Sequence, residues 1–161
     1  LHVVPKFLSN GERPSSRRIR ELLLNGDVRG AAALLGAPFT VSARVGHGDK
    51  RGQKIGFPTA NVMCGARLLP KRGVYAVRVE FGGATYHGVA NIGVRPTFNG
   101  VGERLEVHIL NSSFPSLYGK RLSVSFIDRL RDEKKFGSLE ELTAQIKIDV
   151  VDAETRLQNA G

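Results

Sequence analysis

The sequence predicts a mostly β domain, an antiparallel barrel or sandwich followed by a helix. Two observations carry that expectation. About six short segments of alternating apolar and polar residues recur between Phe39 and Ile127, punctuated by glycine-rich turns, the spacing of an all-β fold. After Ser138 the apolar residues change to the 3.6-residue period of a helix. The bulk numbers agree. A chain of 161 residues with 41% apolar content can bury a core without staples and has an ordinary globular composition.

Val3-Val4-Pro5 reads as the end of a strand, with a polar loop to Pro14. Ser15 or Ser16 can cap a short helix that carries Ile19, Leu22 and Leu23 on one side and stops at Asn25-Gly26. Asp27 can cap a second helix through Ala31 to Leu35, closed by Gly36 and Pro38. Both helices are too short to bury a core of their own, so they need a partner surface. Strands are expected over Thr40 to Val45, Val74 to Phe81, Ala84 to Ala90, Leu105 to Leu110 and Leu122 to Ile127. Gly82-Gly83 is a two-residue hairpin signal, and Gly93 and Pro96 mark a bend. Ser138-Leu139-Glu140-Glu141 is a capping box. The stripe Leu139, Leu142, Ile146, Val150, Ala153 and Leu157 is expected to pack on the outside of the β structure.

The formal net charge of +9 predicts a liking for anions: nucleotide phosphates, nucleic acid or anionic membrane. Cys64 is the single cysteine, so no disulfide forms within the chain, which fits a reducing compartment. No apolar run approaches the roughly 20 residues of a membrane span, and the first residues lack a signal-peptide core. A soluble cytoplasmic protein is expected.

Four segments can carry chemistry. Gly46 to Asn61, GHGDKRGQKIGFPTAN, sets glycines and the basic Lys50, Arg51 and Lys54 before a stiff Phe-Pro-Thr-Ala-Asn run. Pro58 holds Phe57 extended. In an extended run Thr59 and Asn61 share one face, with Ala60 turned away. A hydroxyl and an amide carbonyl in a fixed pair suit Mg²⁺, which takes few protein ligands beside phosphate and water. Taken alone, this is equally a surface loop leading into a strand. Arg104 to Leu110, RLEVHIL, puts Glu106 and His108 on one face and Leu105, Val107 and Ile109 on the other. A strand-borne carboxylate can accept the proton of an attacking hydroxyl; it can equally be an exposed glutamate, and His108 reads as structural. In ANIGVRPTFN, Arg95 could meet a phosphate or a carboxylate. In RLRDEKKF, Arg131 and Phe136 could embrace a flat aromatic ligand, or form a solvated charge run with one core phenylalanine.

The runs GFPTAN, GVYAV, ANIGVRPTF, LEVHIL and LYGKRLSVSFIDRLRDEKKFGSLEELTAQI, in that order, resemble the riboflavin kinase family of bacteria from about Pro38 to the C-terminus. The resemblance implies a six-stranded antiparallel Greek-key barrel with a C-terminal helix packed outside and two short N-terminal helices. It implies an ATP:riboflavin 5′-phosphotransferase that makes FMN with Mg²⁺. Thr59 and Asn61 match the family's metal ligands and Glu106 its catalytic base. Gly48, Arg51, Gly52, Lys54, Gly56 and Pro58, with Thr59 and Asn61, fall where that family binds nucleotide. Arg131 and Phe136 lie in the segment that closes over the flavin. SSRRIRELLLNGDVRGAAALLG resembles the end of the nucleotidyltransferase half of bifunctional FAD synthetases, although Arg17 stands where that motif has threonine. Residues 1–36 are therefore expected to be a remnant of that module and its linker, and 37–161 the kinase domain. The sequence has no H-x-G-H motif, so no FMN adenylyltransferase activity is expected, and a greasy exposed face is expected on the two N-terminal helices. The competing expectations are a non-catalytic flavin-binding barrel and a basic barrel for single-stranded nucleic acid. The second is weakened by the absence of tryptophan and a count of three tyrosines, since such barrels stack bases on aromatics.

Overall fold

The computed structural model describes residues 14–48, 52, 55–65, 67–97, 100–112, 114 and 116–160, with the side chains of 95–97, 100 and 101 also outside the description. Two helices lead, α1 (Ser16–Asn25) and α2 (Val28–Leu35). Six strands follow: β1 (Thr40–Gly46), β2 (Ala60–Val62), β3 (Gly73–Phe81), β4 (Ala84–Thr97), β5 (Gly100–Ile109) and β6 (Arg121–Arg131). Helix α3 (Leu139–Gln158) comes last. The strands close into an antiparallel barrel in the order β1-β2-β5-β4-β3-β6. A sandwich is thereby excluded, and closure removes the exposed edges that an open sheet must protect.

Alternation explains the barrel. On β3, Tyr75, Val77 and Val79 point inward and are fully buried. Inside, Tyr75 and Phe126 meet edge to face with ring centroids 5.3 Å apart, an arrangement that adds about 1 kcal/mol to their burial. The opposite face of the same strand carries Val74 and Ala76, which are covered by Ala153 and Leu157 of α3. Gly82 and Gly83 turn the β3–β4 hairpin with φ of 61° and 82°, left-handed values that glycine adopts without strain.

The caps follow the sequence. Ser15 accepts from the Arg18 amide, so it and not Ser16 caps α1. Asp27 accepts from the Gly30 amide at 2.8 Å. At α3, Ser138 accepts from Glu141 N, but the Glu141 carboxylate reaches past the cap to Gly137 N at 3.0 Å. Leu22, Leu23, Val28 and Ala31 bury themselves in the main core, the partner surface the two helices need. Their outer side is mixed rather than greasy: Leu24 and Leu35 are exposed beside Arg17, Arg20 and Glu21.

Two further expectations are corrected. No bend ends β4 at Gly93 or Pro96; the strand pairs with β5 as far as Thr97↔Gly100, because β5 also starts earlier and supplies a partner for every residue. The α3 stripe is buried only in its C-terminal half. Leu139 is 62% exposed, and the barrel-facing position 149 is an aspartate that turns inward to meet Arg131.

Cys64 is buried with its Sγ against the Val62 carbonyl. Burial pushes its thiol from 9.0 up to about 11, with Arg67 opposing and Glu103 reinforcing. A neutral thiol held in the folded state contributes stability that is complete below pH 9 and lost as pH rises toward 11. Urea titrations at pH 8, 9, 10 and 11 should therefore show a steeper loss in the wild type than in Cys64→Ala, reaching about 2 kcal/mol at pH 11. Equal slopes would show that the thiol does not couple to folding.

Candidate functional site

The outer face of the barrel brings the singled-out residues together through strand register. Asn61 on β2 lies directly opposite Glu106 on β5, and Glu106 lies directly opposite Asn91 on β4. Directly opposed residues share a face with Cβ atoms about 5 Å apart. Amide, carboxylate and amide thus form one row across three strands. Their inward neighbours Ala60, Val62, Leu105, Val107, Ala90 and Ile92 are all buried, which locks the row outward, because a one-residue slip would put these apolar side chains in water.

Each member of the row has a distinct environment. Asn61 Oδ1 is buried and, among the described residues, is the one buried side-chain polar atom without a hydrogen-bond partner. Such an acceptor costs about 1–3 kcal/mol when left unpaired. Its amide nitrogen rests against Gly48: a methyl placed there would sit 1.8 Å from Nδ2. Glu106 accepts from Arg104 at 2.9 Å through Oε2. Arg104 lies two residues away on the same face, so the bond pins one carboxylate oxygen and leaves Oε1 to meet an incoming group.

Thr59 precedes β2 and is exposed. Its segment is held by contacts that the sequence signalled only in part. His108 Nδ1 lies 2.8 Å from the Pro58 carbonyl, and its ring meets Phe57 edge-on at 5.5 Å. His108 is thus a tether between β5 and the Phe-Pro-Thr-Ala-Asn run, in keeping with a structural reading. Gly52 accepts from Phe57 N at 2.8 Å; a side chain on Gly52 would collide with the Phe57 carbonyl, 2.2 Å away. Gly56 has φ +83°, a turn that requires glycine. Arg51 and Lys54 lie outside the described residues, as does the side chain of Arg95.

Pairing of β1 with β2 ends at Gly46↔Asn61. Beyond it a cavity of about 300 Å³ opens, bordered by Gly48, Pro58, Thr59 and Asn61 on one side and Phe114 and Tyr118 on the other. His47 stacks on Tyr118 with centroids 3.8 Å apart. Neither residue signals the pair in its own segment; only the contact between positions far apart in the sequence reveals it. Glu106 stands just outside the cavity, with Asn61 between the two.

Arg131 and Phe136 are placed together, at 5.9 Å from guanidinium to ring centroid. The guanidinium fork is held by Asp149, at 2.7 Å from each of Nε and Nη2. The β6–α3 connection also brings Glu133 over Gly93: a methyl on that glycine would sit 2.4 Å from Glu133 Oε1 and 3.4 Å from Asn91 Nδ2. The row therefore lies between two elements, the Gly48 loop beside Asn61 and the β6–α3 connection beside Asn91. Among the described residues, no helix is long and apolar enough to cross a membrane.

Comparison with known proteins bears on this arrangement. The riboflavin kinase (flavokinase) family model matches residues 35–157. The bifunctional riboflavin kinase/FMN adenylyltransferase of Haemophilus influenzae is 44% identical over 149 residues, 92% of this chain and 48% of that protein. The Bacillus subtilis protein of the same description is 41% identical over 155 residues, 94% of this chain and 49% of that one. The chain spans about half the length of the curated relatives it matches. A solved structure from Streptococcus pneumoniae, described as a macrolide-efflux protein, superposes with TM-score 0.86 at 38% identity, covering 94% of this chain and 50% of that chain. A riboflavin kinase structure from Trypanosoma brucei superposes with TM-score 0.55 at 23% identity, over 75% of this chain and 80% of that chain, a likeness of fold.

Proposed function

The chain belongs to the riboflavin kinase family, and from that premise we propose that it transfers the γ-phosphate of ATP to the terminal ribityl hydroxyl of riboflavin, giving FMN. The observation that carries the proposal is the register of Asn61 against Glu106, with Asn61 Oδ1 buried and unpaired. An orphaned amide oxygen beside a hydroxyl-bearing Thr59 fits a hard cation with few protein ligands. Thr59 and Asn61 would hold Mg²⁺, which when bound supplies positive charge to the triphosphate oxygens. The Gly48 loop and the cavity beyond it take the nucleotide, with Gly52, Gly56 and Pro58 shaping the approach and Arg51 and Lys54 supplying charge. His47 and Tyr118 offer aromatic faces at its far side.

Glu106 then accepts the proton of the ribityl hydroxyl as that oxygen attacks phosphorus. Arg104 holds the carboxylate in place through Oε2. Phosphoryl transfer asks for positioning and charge more than covalent help, and the row provides both within one strand spacing. Riboflavin approaches from the other side, beneath the β6–α3 connection that carries Phe136 and begins just after Arg131 at the end of β6. In a longer chain, a nucleotidyltransferase module ahead of residue 37 would pack on α1 and α2, over Leu24 and Leu35.

The test is incubation with riboflavin, ATP and Mg²⁺, with FMN and FAD separated by chromatography. FMN alone is expected. FAD would overturn the restriction to one activity. Riboflavin binding without phosphorylation would favour a non-catalytic module, and salt-sensitive nucleic-acid binding indifferent to riboflavin would favour the basic-barrel reading. A companion variant probes the nucleotide side. Gly48→Ala forces the Asn61 amide to move, so the KM for Mg²⁺–ATP should rise about tenfold or more, with the melting temperature little changed. An unaltered KM would separate Gly48 from the nucleotide.

A further inference from the structure

Asn91 is the member of the row to which the proposed reaction gives no part. It faces Glu106 from β4 as Asn61 faces it from β2, so the carboxylate has an amide on each side. The two amides look onto different surroundings. Asn61 adjoins the Gly48 loop and the cavity. Asn91 adjoins Gly93, over which the β6–α3 connection passes with Glu133. Asn91 is half-buried, and among the described residues its amide takes no hydrogen bond.

In-line transfer puts the attacking oxygen between phosphorus and the body of the alcohol. With the phosphate on the Asn61 side, the alcohol must leave Glu106 on the Asn91 side. The substrate is a polyol, whose terminal hydroxyl is followed by a hydroxyl on the next carbon. A carboxamide both donates and accepts, so it can meet a hydroxyl whichever way that hydroxyl turns. Resting on the phosphoryl-transfer reading, we propose that Asn91 hydrogen-bonds the secondary hydroxyl adjacent to the terminal one, and so sets the terminal oxygen against Glu106 while selecting a polyol over a simple alcohol. A side chain on Gly93 would reach within 3.4 Å of Asn91 Nδ2 and displace the flexible end of Glu133, so glycine leaves this side of the row uncovered.

The experiment compares riboflavin with its 4′-deoxy analogue, on wild type, Asn91→Ala and Asn91→Ser. A site built to bond a hydroxyl penalises its loss on either partner, but only once. Asn91→Ala should lower kcat/KM for riboflavin by about ten- to a hundredfold, chiefly through KM, with the KM for ATP unchanged. For the 4′-deoxy analogue the same substitution should cost about twofold or less. Asn91→Ser, which keeps a hydroxyl, should recover part of the loss and stands in if the alanine variant melts early.

Full activity of Asn91→Ala on riboflavin, or equal losses on both substrates, would overturn the inference. Riboflavin affinity, read from quenching of flavin fluorescence without ATP, separates it from the parent reading. If wild type binds riboflavin but makes no FMN, phosphoryl transfer fails, and the binding loss in Asn91→Ala still decides the hydroxyl contact. If wild type neither binds nor converts riboflavin, both fall.

Discussion

Glu106→Gln should lower kcat for FMN formation by about three orders of magnitude while leaving the protein folded. A positioned general base contributes about 10²- to 10⁴-fold, and a thousandfold corresponds to about 4 kcal/mol of barrier. Glutamine keeps the volume and can still accept from Arg104, so the row keeps its shape and loses only the proton acceptor. The Glu106 side chain is 20% exposed, and because glutamine keeps the bond from Arg104, exchanging a charge-assisted for a neutral acceptor costs about 1 kcal/mol. The melting temperature should hence move by a few degrees at most, and the KM for ATP should hold. Asn61→Ala should behave differently, raising the requirement for Mg²⁺–ATP before it lowers the maximal rate. Rapid-quench measurement of FMN distinguishes the two patterns. Wild-type turnover in Glu106→Gln would remove the carboxylate from the mechanism.

The parts of this site that the sequence announced are those set by period-two alternation and stiff local geometry. Thr59 and Asn61 flank a residue that must point into the core, and Glu106 and His108 alternate with Leu105, Val107 and Ile109; one strand suffices to read each. Ser15, Asp27 and Ser138 were legible as caps because their partners lie three residues away. What a single strand cannot supply is register. That Asn61 and Asn91 meet the same glutamate depends on β2 and β4 both pairing with β5, a relation between segments 30 residues apart. The same holds for His47 on Tyr118 and for His108 on the Pro58 carbonyl. Helix α3 shows the complementary error. A 3.6-residue stripe predicts burial over its whole length, yet Asp149 takes a position facing the barrel, and its partner Arg131 lies on a strand that alternation alone would leave half in water.

That ion pair carries the second large effect. Arg131→Met should destabilise the protein by about 3 kcal/mol, because it leaves Asp149, with a side chain 5% exposed, without its bidentate partner. Gln145 still donates to Oδ1 at 3.1 Å, a single neutral donor in place of a charged fork. Asp149→Asn should cost less, since the amide oxygen still accepts from the guanidinium and Arg131, 23% exposed, keeps access to water. For a chain of this length 3 kcal/mol lowers the melting temperature by about 6–12 °C, which calorimetry resolves; a shift under 2 °C would show the pair to be incidental. The double substitution Arg131→Met with Asp149→Leu should regain most of the loss, since an apolar pair removes the buried charge altogether. It also separates two roles for Arg131. Asp149 takes the Nε and one Nη2 hydrogen, the Asp132 carbonyl takes one from Nη1 at 2.9 Å, and one face lies over Phe136, so a contact with flavin is left the opposite face or the two remaining N–H groups. If the double variant regains stability while the KM for riboflavin stays raised, Arg131 touches the substrate. If KM recovers together with stability, Arg131 is a strut that anchors the β6–α3 connection to α3, and the flavin is gripped by Phe136 and its neighbours.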